Sequence, residues 1–292
     1  MNIAIVGATG NVGRKMLEVL EQKKLSIDEL YLVASSKSAG KKINFNGKHY
    51  EVYNLETFDF SKAQISFFAA GSEISEEYAL KAAKDSTVID NSSFFRMDPD
   101  VPLIVPQVNS EDAKILKKNI IANPNCSTTQ LVIALKPLHD LFNIERVVIS
   151  TYQSVSGAGK ASMDELIEQT KQFLNNEEIK SINFTKQIAF NAIPHIDVFS
   201  DDGYTKEELK MVNETKKILD NKIKVTATCV RIPVLVSHAE SVNIQFEKSF
   251  TLEKVRSALE NAEGCEVIDQ RENGGYITPL EAEGKNETFI SR

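Results

Sequence analysis

The sequence predicts an α/β protein of two domains, an N-terminal parallel sheet with helices on both faces followed by an α+β domain with a mixed, mostly antiparallel sheet. Three observations carry this reading. Through the first 125 residues, short β-branched apolar runs alternate with helical patterns, and a glycine-rich turn joins the first run to the first helix. From residue 126 onward the strand-like runs lengthen and alternate polar with apolar side chains, as strands do when one face stays wet. At 292 residues the chain has room for two domains of ordinary size, read as 1–125 and 126–292.

Each element has its own signal. The first strand, 3–6, leads through the turn into a helix where Val12, Met16, Val19 and Leu20 recur at helical spacing and Lys15, Glu18 and Glu21 take the other side. Runs at 30–34, 65–70, 87–90, 103–105 and 120–122 supply the remaining strands of the first sheet. After Asn123-Pro124-Asn125, a helix begins at Cys126, draws its apolar face from Leu131, Val132 and Leu135, and is expected to stop at Pro137. Longer strands follow at 146–153, 224–232 and 241–247. Two further helices have legible starts, Ser162 with Glu165 and Thr205 with Glu208. Both pairs fit a capping box, in which hydroxyl and carboxylate satisfy orphan backbone donors reciprocally.

Composition narrows the partners. The chain has 34 basic and 41 acidic residues, a net charge of −7, and no basic block, so it lacks the clustered cations that nucleic-acid phosphates require. Its apolar runs all fall short of the roughly 20 residues that cross a bilayer. The N-terminus begins on a strand-like segment without a leader pattern, and a cytoplasmic protein acting on small molecules is expected. Cys126, Cys229 and Cys265 have neither disulfide nor metal spacing, so three free thiols and no metal site are expected.

Gly7-Ala8-Thr9-Gly10-Asn11-Val12-Gly13 is a variant of the dinucleotide fingerprint in its required strand-to-helix setting, which makes the first domain Rossmann-type. Gly7, Thr9, Gly10, Asn11, Val12 and Gly13 would let the backbone approach a pyrophosphate at a helix N-terminus, although such a turn can also merely connect two elements. The second strand ends in Ser35, Ser36 and Lys37 where an NAD site usually carries an acid, a set that suits the 2′-phosphate of NADP or a solvated loop. Cys126 at a helix start is a candidate nucleophile, since the helix terminus favours a thiolate; a small buried hydrophobe is the alternative, and is the reading for Cys229 and Cys265. Arg231, ending a strand, and His238, seven residues on, can share a pocket or be surface residues.

Together these motifs, with Asn91-Ser92-Ser93-Phe94-Phe95-Arg96-Met97-Asp98, Gln153-Ser154-Val155-Ser156-Gly157-Ala158-Gly159 and residues 207–213, resemble the aspartate-semialdehyde dehydrogenase family over the whole chain. The resemblance implies that Cys126 attacks aspartyl 4-phosphate, expels phosphate and forms a thioester. NADPH then reduces the thioester to aspartate semialdehyde, on the route to lysine, threonine and methionine. It implies acid and base work for His238 and substrate orientation for Gln153. Arg231 is implied to grip the substrate carboxylate, and Glu207 its amino group, while Lys210, Arg96 and Asn125 hold the phosphate. Glu207 and Lys210 by themselves equally fit a helix ion pair. Ser156 and Gly157 match a loop that touches the cofactor, and family members assemble as homodimers or homotetramers through the second domain. Members also run past the segment matching 286–292 into a C-terminal helix, so this chain is expected to lack that element. An N-acetyl-glutamyl-phosphate reductase and a catalytically silent homologue are the competing readings.

Overall fold

The computed structural model describes residues 1–292 as two compact units, Met1–Ile104 with Asn109–Pro124, and Val105–Val108 with Asn125–Arg292. In the first unit β1 (Ile3–Val6), α1 (Asn11–Lys23), β2 (Leu30–Ala34), β3 (Lys42–Phe45), β4 (Lys48–Asn54), β5 (Ile65–Phe68), α2 (Ser72–Ala82) and β6 (Thr87–Asp90) follow in order. A short helix α3 (Pro106–Asn109), whose first three residues belong to the second unit, comes before β7 (Ile120–Ala122) of the first. The sheet order is β3-β4-β2-β1-β5-β6-β7, and every pair is parallel except β3–β4. The chain therefore works outward from β1 on one side, then returns to start again at β5 on the other. In open α/β sheets ligands bind beyond the strand ends at such a reversal. β1, at the centre, is buried on both faces, as a parallel strand between helix layers must be.

Two first-unit expectations are corrected, and one element had no expectation. The apolar face of α1 is Gly13, Leu17 and Leu20, with Met16 half-buried, whereas Val12 and Val19 are 43% and 36% exposed. The expected strand 103–105 is reduced to a single Leu103–Ala122 bridge, because Pro102 and Pro106 bracket it and cannot donate to a ladder. The β3–β4 hairpin was not expected. Asn46 and Gly47 form its turn, both at positive φ, but the flanking Lys42, Asn44, Lys48 and Glu51 hide the strands from an apolar count.

The second unit comprises α4 (Cys126–Phe142), β8 (Ile144–Gln153), α5 (Lys160–Leu174), α6 (Lys206–Ile218), β9 (Lys224–Arg231), β10 (Ala239–Phe246), α7 (Leu252–Glu260), β11 (Cys265–Val267), α8 (Pro279–Ala282) and β12 (Thr288–Ile290). Its main sheet, β10-β8-β9, is mixed as expected, but only β10–β8 is antiparallel. β8 reaches β9 through two helices, a crossover that delivers the strand parallel; the small β11–β12 pair is parallel too. β8 alternates strictly, with Val147, Ile149, Thr151 and Gln153 buried on one face. There Val147 and Ile149, with Ala227 and Cys229 of β9, pack against Leu131 and Leu135 of α4 and Met211 of α6.

Pro137 does not stop α4, which continues to Phe142 and buries Leu138 and Phe142 beyond it. The proline has no N–H for the Ile133 carbonyl four residues back, and the Cys265 thiol donates to that oxygen instead at 3.7 Å. Nor does Ser162 cap a helix. α5 begins at Lys160, inside which Ser162 Oγ donates back to the Ala158 carbonyl, while Glu165 accepts the backbone N–H groups of Ile182 and Asn183. The Thr205–Glu208 box does form, with Thr205 N–H donating to Glu208 Oε2 at 2.8 Å and Glu208 N–H to Thr205 Oγ1 at 3.3 Å.

Candidate active site

The site in the second unit starts at the head of α4. Asn125 is the N-cap, its Oδ1 accepting from the N–H of Ser127 at 2.9 Å and of Thr128 at 3.4 Å. Cys126 is therefore the first helical residue, with its thiol exposed at the positive end of the helix. The other cysteines differ. Burial pushes Cys229 up to about 12 and raises Cys265 as well, so neither offers a thiolate.

The sheet supplies the facing groups. Gln153 ends β8 directly beside Arg231, which ends β9, and continuing the β8–β10 register by one residue puts His238 on Gln153's other side. Ser154, the next residue, fastens both flanks through its backbone. Its N–H donates to His238 Nδ1 at 3.0 Å and its carbonyl accepts from Arg231 Nη1 at 2.5 Å. A ring nitrogen that accepts a backbone N–H carries no proton, which assigns the neutral tautomer with hydrogen on Nε2. That Nε2 lies 3.2 Å from Cys126 Sγ. Burial, and then the Arg231 charge, lower the His238 pKa to about 4, so at neutral pH the ring is uncharged and directs its N–H at the sulfur. Gly157 lies over the same groups. A Cβ added there would stand 3.2 Å from Arg231 Nη1 and 3.6 Å from His238 Cε1. Ser156 Oγ lies 3.0 Å from Ser154 Oγ.

α6 closes the polar side. Buried Glu207 accepts from Asn125 Nδ2 at 2.9 Å and Gln153 Nε2 at 3.4 Å, and pairs with Lys210 Nζ at 3.2 Å. Burial alone would lower the Lys210 pKa, but Asp197 at 2.8 Å and Glu207 outweigh it and the net shift is upward. Burial likewise lowers that of Arg231, with Glu207 opposing. Seven of the expected residues plus Ser156 and Gly157 thus converge: Asn125, Cys126, Gln153, Glu207, Lys210, Arg231 and His238.

The remaining candidates belong to the first unit. Gly7 has φ +87°, and a Cβ there would lie 2.7 Å from the Ala69 carbonyl; one on Gly13 would lie 2.3 Å from that of Gly7. Larger residues would force the turn open. α1 has no side-chain cap at Gly10, which leaves first-turn N–H groups at exposed Asn11 and Val12, a donor set suited to a pyrophosphate next to Thr9. Ser35, Ser36 and Lys37 are exposed just past the end of β2. Arg96 is buried on the loop after β6, its Nε donating to the Asn123 carbonyl at 2.9 Å and Nη2 to that of Asn91 at 3.1 Å.

Sequence reasoning passed over Ser154 and Glu214. Ser154 acts through its backbone and leaves no side-chain signal. Glu214, whose carboxylate accepts the Asn125 N–H at 2.6 Å, lies seven residues after Glu207 and hence on the same face of α6, a spacing that would have found it.

Residues 2–116 match a family model described as semialdehyde dehydrogenase, NAD binding domain, and residues 135–292 one described as semialdehyde dehydrogenase, dimerisation domain. The aspartate-semialdehyde dehydrogenase of Aquifex aeolicus is 54% identical, over 99% of this chain and 87% of that protein. The chain belongs to the aspartate-semialdehyde dehydrogenase family. The crystal structure of aspartate semialdehyde dehydrogenase II from Vibrio cholerae superposes with a TM-score of 0.96 at 49% identity, covering 100% of this chain and 87% of that one. A second crystal structure of the Vibrio enzyme, complexed with ASA, gives 0.93 over 97% and 84%. Membership makes the chain an oxidoreductase with an NAD(P)-binding domain, and favours neither an N-acetyl-glutamyl-phosphate reductase nor a silent homologue. No helix is long and apolar enough to cross a membrane.

Proposed function

We propose that the protein reduces L-aspartyl 4-phosphate to L-aspartate 4-semialdehyde and phosphate with NADPH, through a thioester on Cys126. The observation that carries this reading is the 3.2 Å approach of His238 Nε2 to Cys126 Sγ at the head of α4. Helix terminus, Nε2–H and the nearby Arg231 charge all favour a thiolate there. The thiolate attacks the acyl carbon; a C–S bond forms, the C–O bond to phosphate breaks, and its electron pair leaves with the phosphate. The nicotinamide dinucleotide, when bound, supplies the hydride for the thioester. His238 holds a proton at Nε2 within reach of the oxyanion that develops beside the sulfur. As the C–S bond breaks, the returning thiolate meets the same N–H and helix terminus.

The other side chains orient the substrate. Arg231, with Nη1 anchored to the Ser154 carbonyl, presents a fixed guanidinium plane to the substrate α-carboxylate, and Glu207 takes the amino group. Gln153 orients the acyl group, while Lys210 and Asn125 bind the phosphate. In the first unit the glycine turn cradles the pyrophosphate, and Ser35, Ser36 and Lys37 select NADP through its 2′-phosphate. Assembly uses the outer face of the β10-β8-β9 sheet, where Tyr152, Ser241 and Asn243 are exposed, to form a homodimer. The test runs the reaction backward: aspartate semialdehyde, NADP and phosphate should give phosphate-dependent NADPH formation. Absence of nicotinamide reduction by folded protein overturns the reading.

A further inference from the structure

Every polar group of Asn125 is engaged, and α6 holds two of them. Its Oδ1 caps α4, and its carbonyl accepts from the Thr129 N–H at 2.9 Å and from Thr129 Oγ1 at 3.0 Å. Glu207 Oε1 accepts from its Nδ2 at 2.9 Å, and Glu214 Oε2 from its backbone N–H at 2.6 Å. Seven residues separate the two glutamates, two turns or about 10 Å along the axis of α6. Between them on the same face, Met211 packs against Leu131 and Leu135 of α4. Glu214 is only 2% exposed, and a carboxylate buried beside such packing is costly unless it is bonded. The reaction outlined above uses Glu207 and Asn125 but gives Glu214 no part.

We propose that Glu214 is a positioning residue for Cys126, which it holds in place by fastening the backbone of Asn125, the residue before it. This rests on the thioester reading of Cys126. The N–H of an N-cap residue has no partner within its own helix and must find one elsewhere. Glu214 supplies a charged acceptor, the stronger kind. Asn125 sets the direction from which the chain enters α4, and with it the direction of the Cys126 Cα–Cβ bond. That bond decides where Sγ stands against the helix terminus and against His238 Nε2, 3.2 Å away. Glu207 grips Asn125 by its side chain alone, and the second grip, at the N–H, fixes the backbone too. A carboxylate near a thiol opposes its ionisation, so what Glu214 contributes to the site is its hydrogen bond and not its charge.

The experiment compares Glu214→Gln with Glu214→Met. Both lose the negative charge and nearly keep the side-chain length, but only glutamine retains an oxygen for the Asn125 N–H. Cys126 faces the same His238 and Arg231 in both variants. For aspartate semialdehyde with NADP and phosphate, kcat should be about tenfold lower in E214M than in E214Q, with KM within about twofold. The pH profile of iodoacetamide alkylation, which needs no turnover, should place the Cys126 thiol about half a unit higher in E214M than in E214Q. A loss of stability alone would lower the folded fraction, read by circular dichroism, and leave that midpoint where it was. In the parent, the Asn125 amide should be protected from hydrogen exchange, a measurement that does not depend on how either variant folds. A kcat and an alkylation profile shared by E214Q and E214M, or an Asn125 amide that exchanges as fast as an exposed one, overturns the proposal. If the parent shows no turnover the thioester reading fails by itself, and alkylation and exchange still decide the role of Glu214.

Discussion

Ser154 shows how little chain is needed to orient two side chains of the candidate site. One peptide unit donates to His238 and the adjoining carbonyl accepts from Arg231, so imidazole and guanidinium are oriented together. Holding the ring neutral carries a pH signature. The His238 pKa is depressed to about 4, below the value near 6.5 of an unfolded chain. Between those two values the unfolded state binds a proton that the folded state does not. Stability is therefore full above about 6.5 and is lost as pH falls toward 4, with a slope of at most about 1.4 kcal/mol per pH unit. Urea midpoints of His238→Asn should decline less than those of the parent across this window; parallel declines would show that the ring is not held neutral. At this scale the sequence marked Cys126 as a candidate through its place at a helix start, whereas spacing alone left Arg231 and His238 open as surface residues and only the family resemblance brought them together. It was silent for Ser154, which works through backbone groups that every residue has.

Elements were legible where local chemistry and packing agree. α6 begins where its capping box says, because Thr205 and Glu208 satisfy each other without help from the rest of the fold. Thr205→Ala should cost about 1 kcal/mol, read as a lower urea midpoint with unchanged cofactor affinity. No change in midpoint would mean that tertiary contacts alone hold this end of α6. Local rules failed where distant groups intervene. Pro137 is carried inside α4 because a thiol more than a hundred residues away reaches the freed Ile133 carbonyl and because Leu138 and Phe142 are buried beyond it. Ser162 and Glu165 have the spacing of a box, yet Glu165 spends its carboxylate on the 182–183 backbone. The β3–β4 hairpin shows a third limit, since its Asn46-Gly47 turn was readable but its polar flanks gave no strand signal.

On the scale of the whole molecule, the glycine turn and the alternation of 3–6, 30–34, 87–90 and 120–122 led directly to the parallel sheet, because buried parallel strands must be apolar along their length. Strand direction in the second unit was less accessible. β8 and β9 are parallel for a topological reason, two intervening helices, that alternation alone does not encode. If the proposed homodimer forms through the outer face of that sheet, the native mass should be about twice 32.5 kDa. A monomer at micromolar concentration would contradict the homodimer.

The central claim is that Cys126 carries the acyl group. Mixing the protein with aspartate semialdehyde and NADP in the absence of phosphate isolates that step. We expect a burst of one NADPH per site together with an acyl mass on the tryptic peptide containing Cys126, and neither in Cys126→Ser. A full burst from the serine variant, or a burst with no acyl mass on Cys126, would contradict the account.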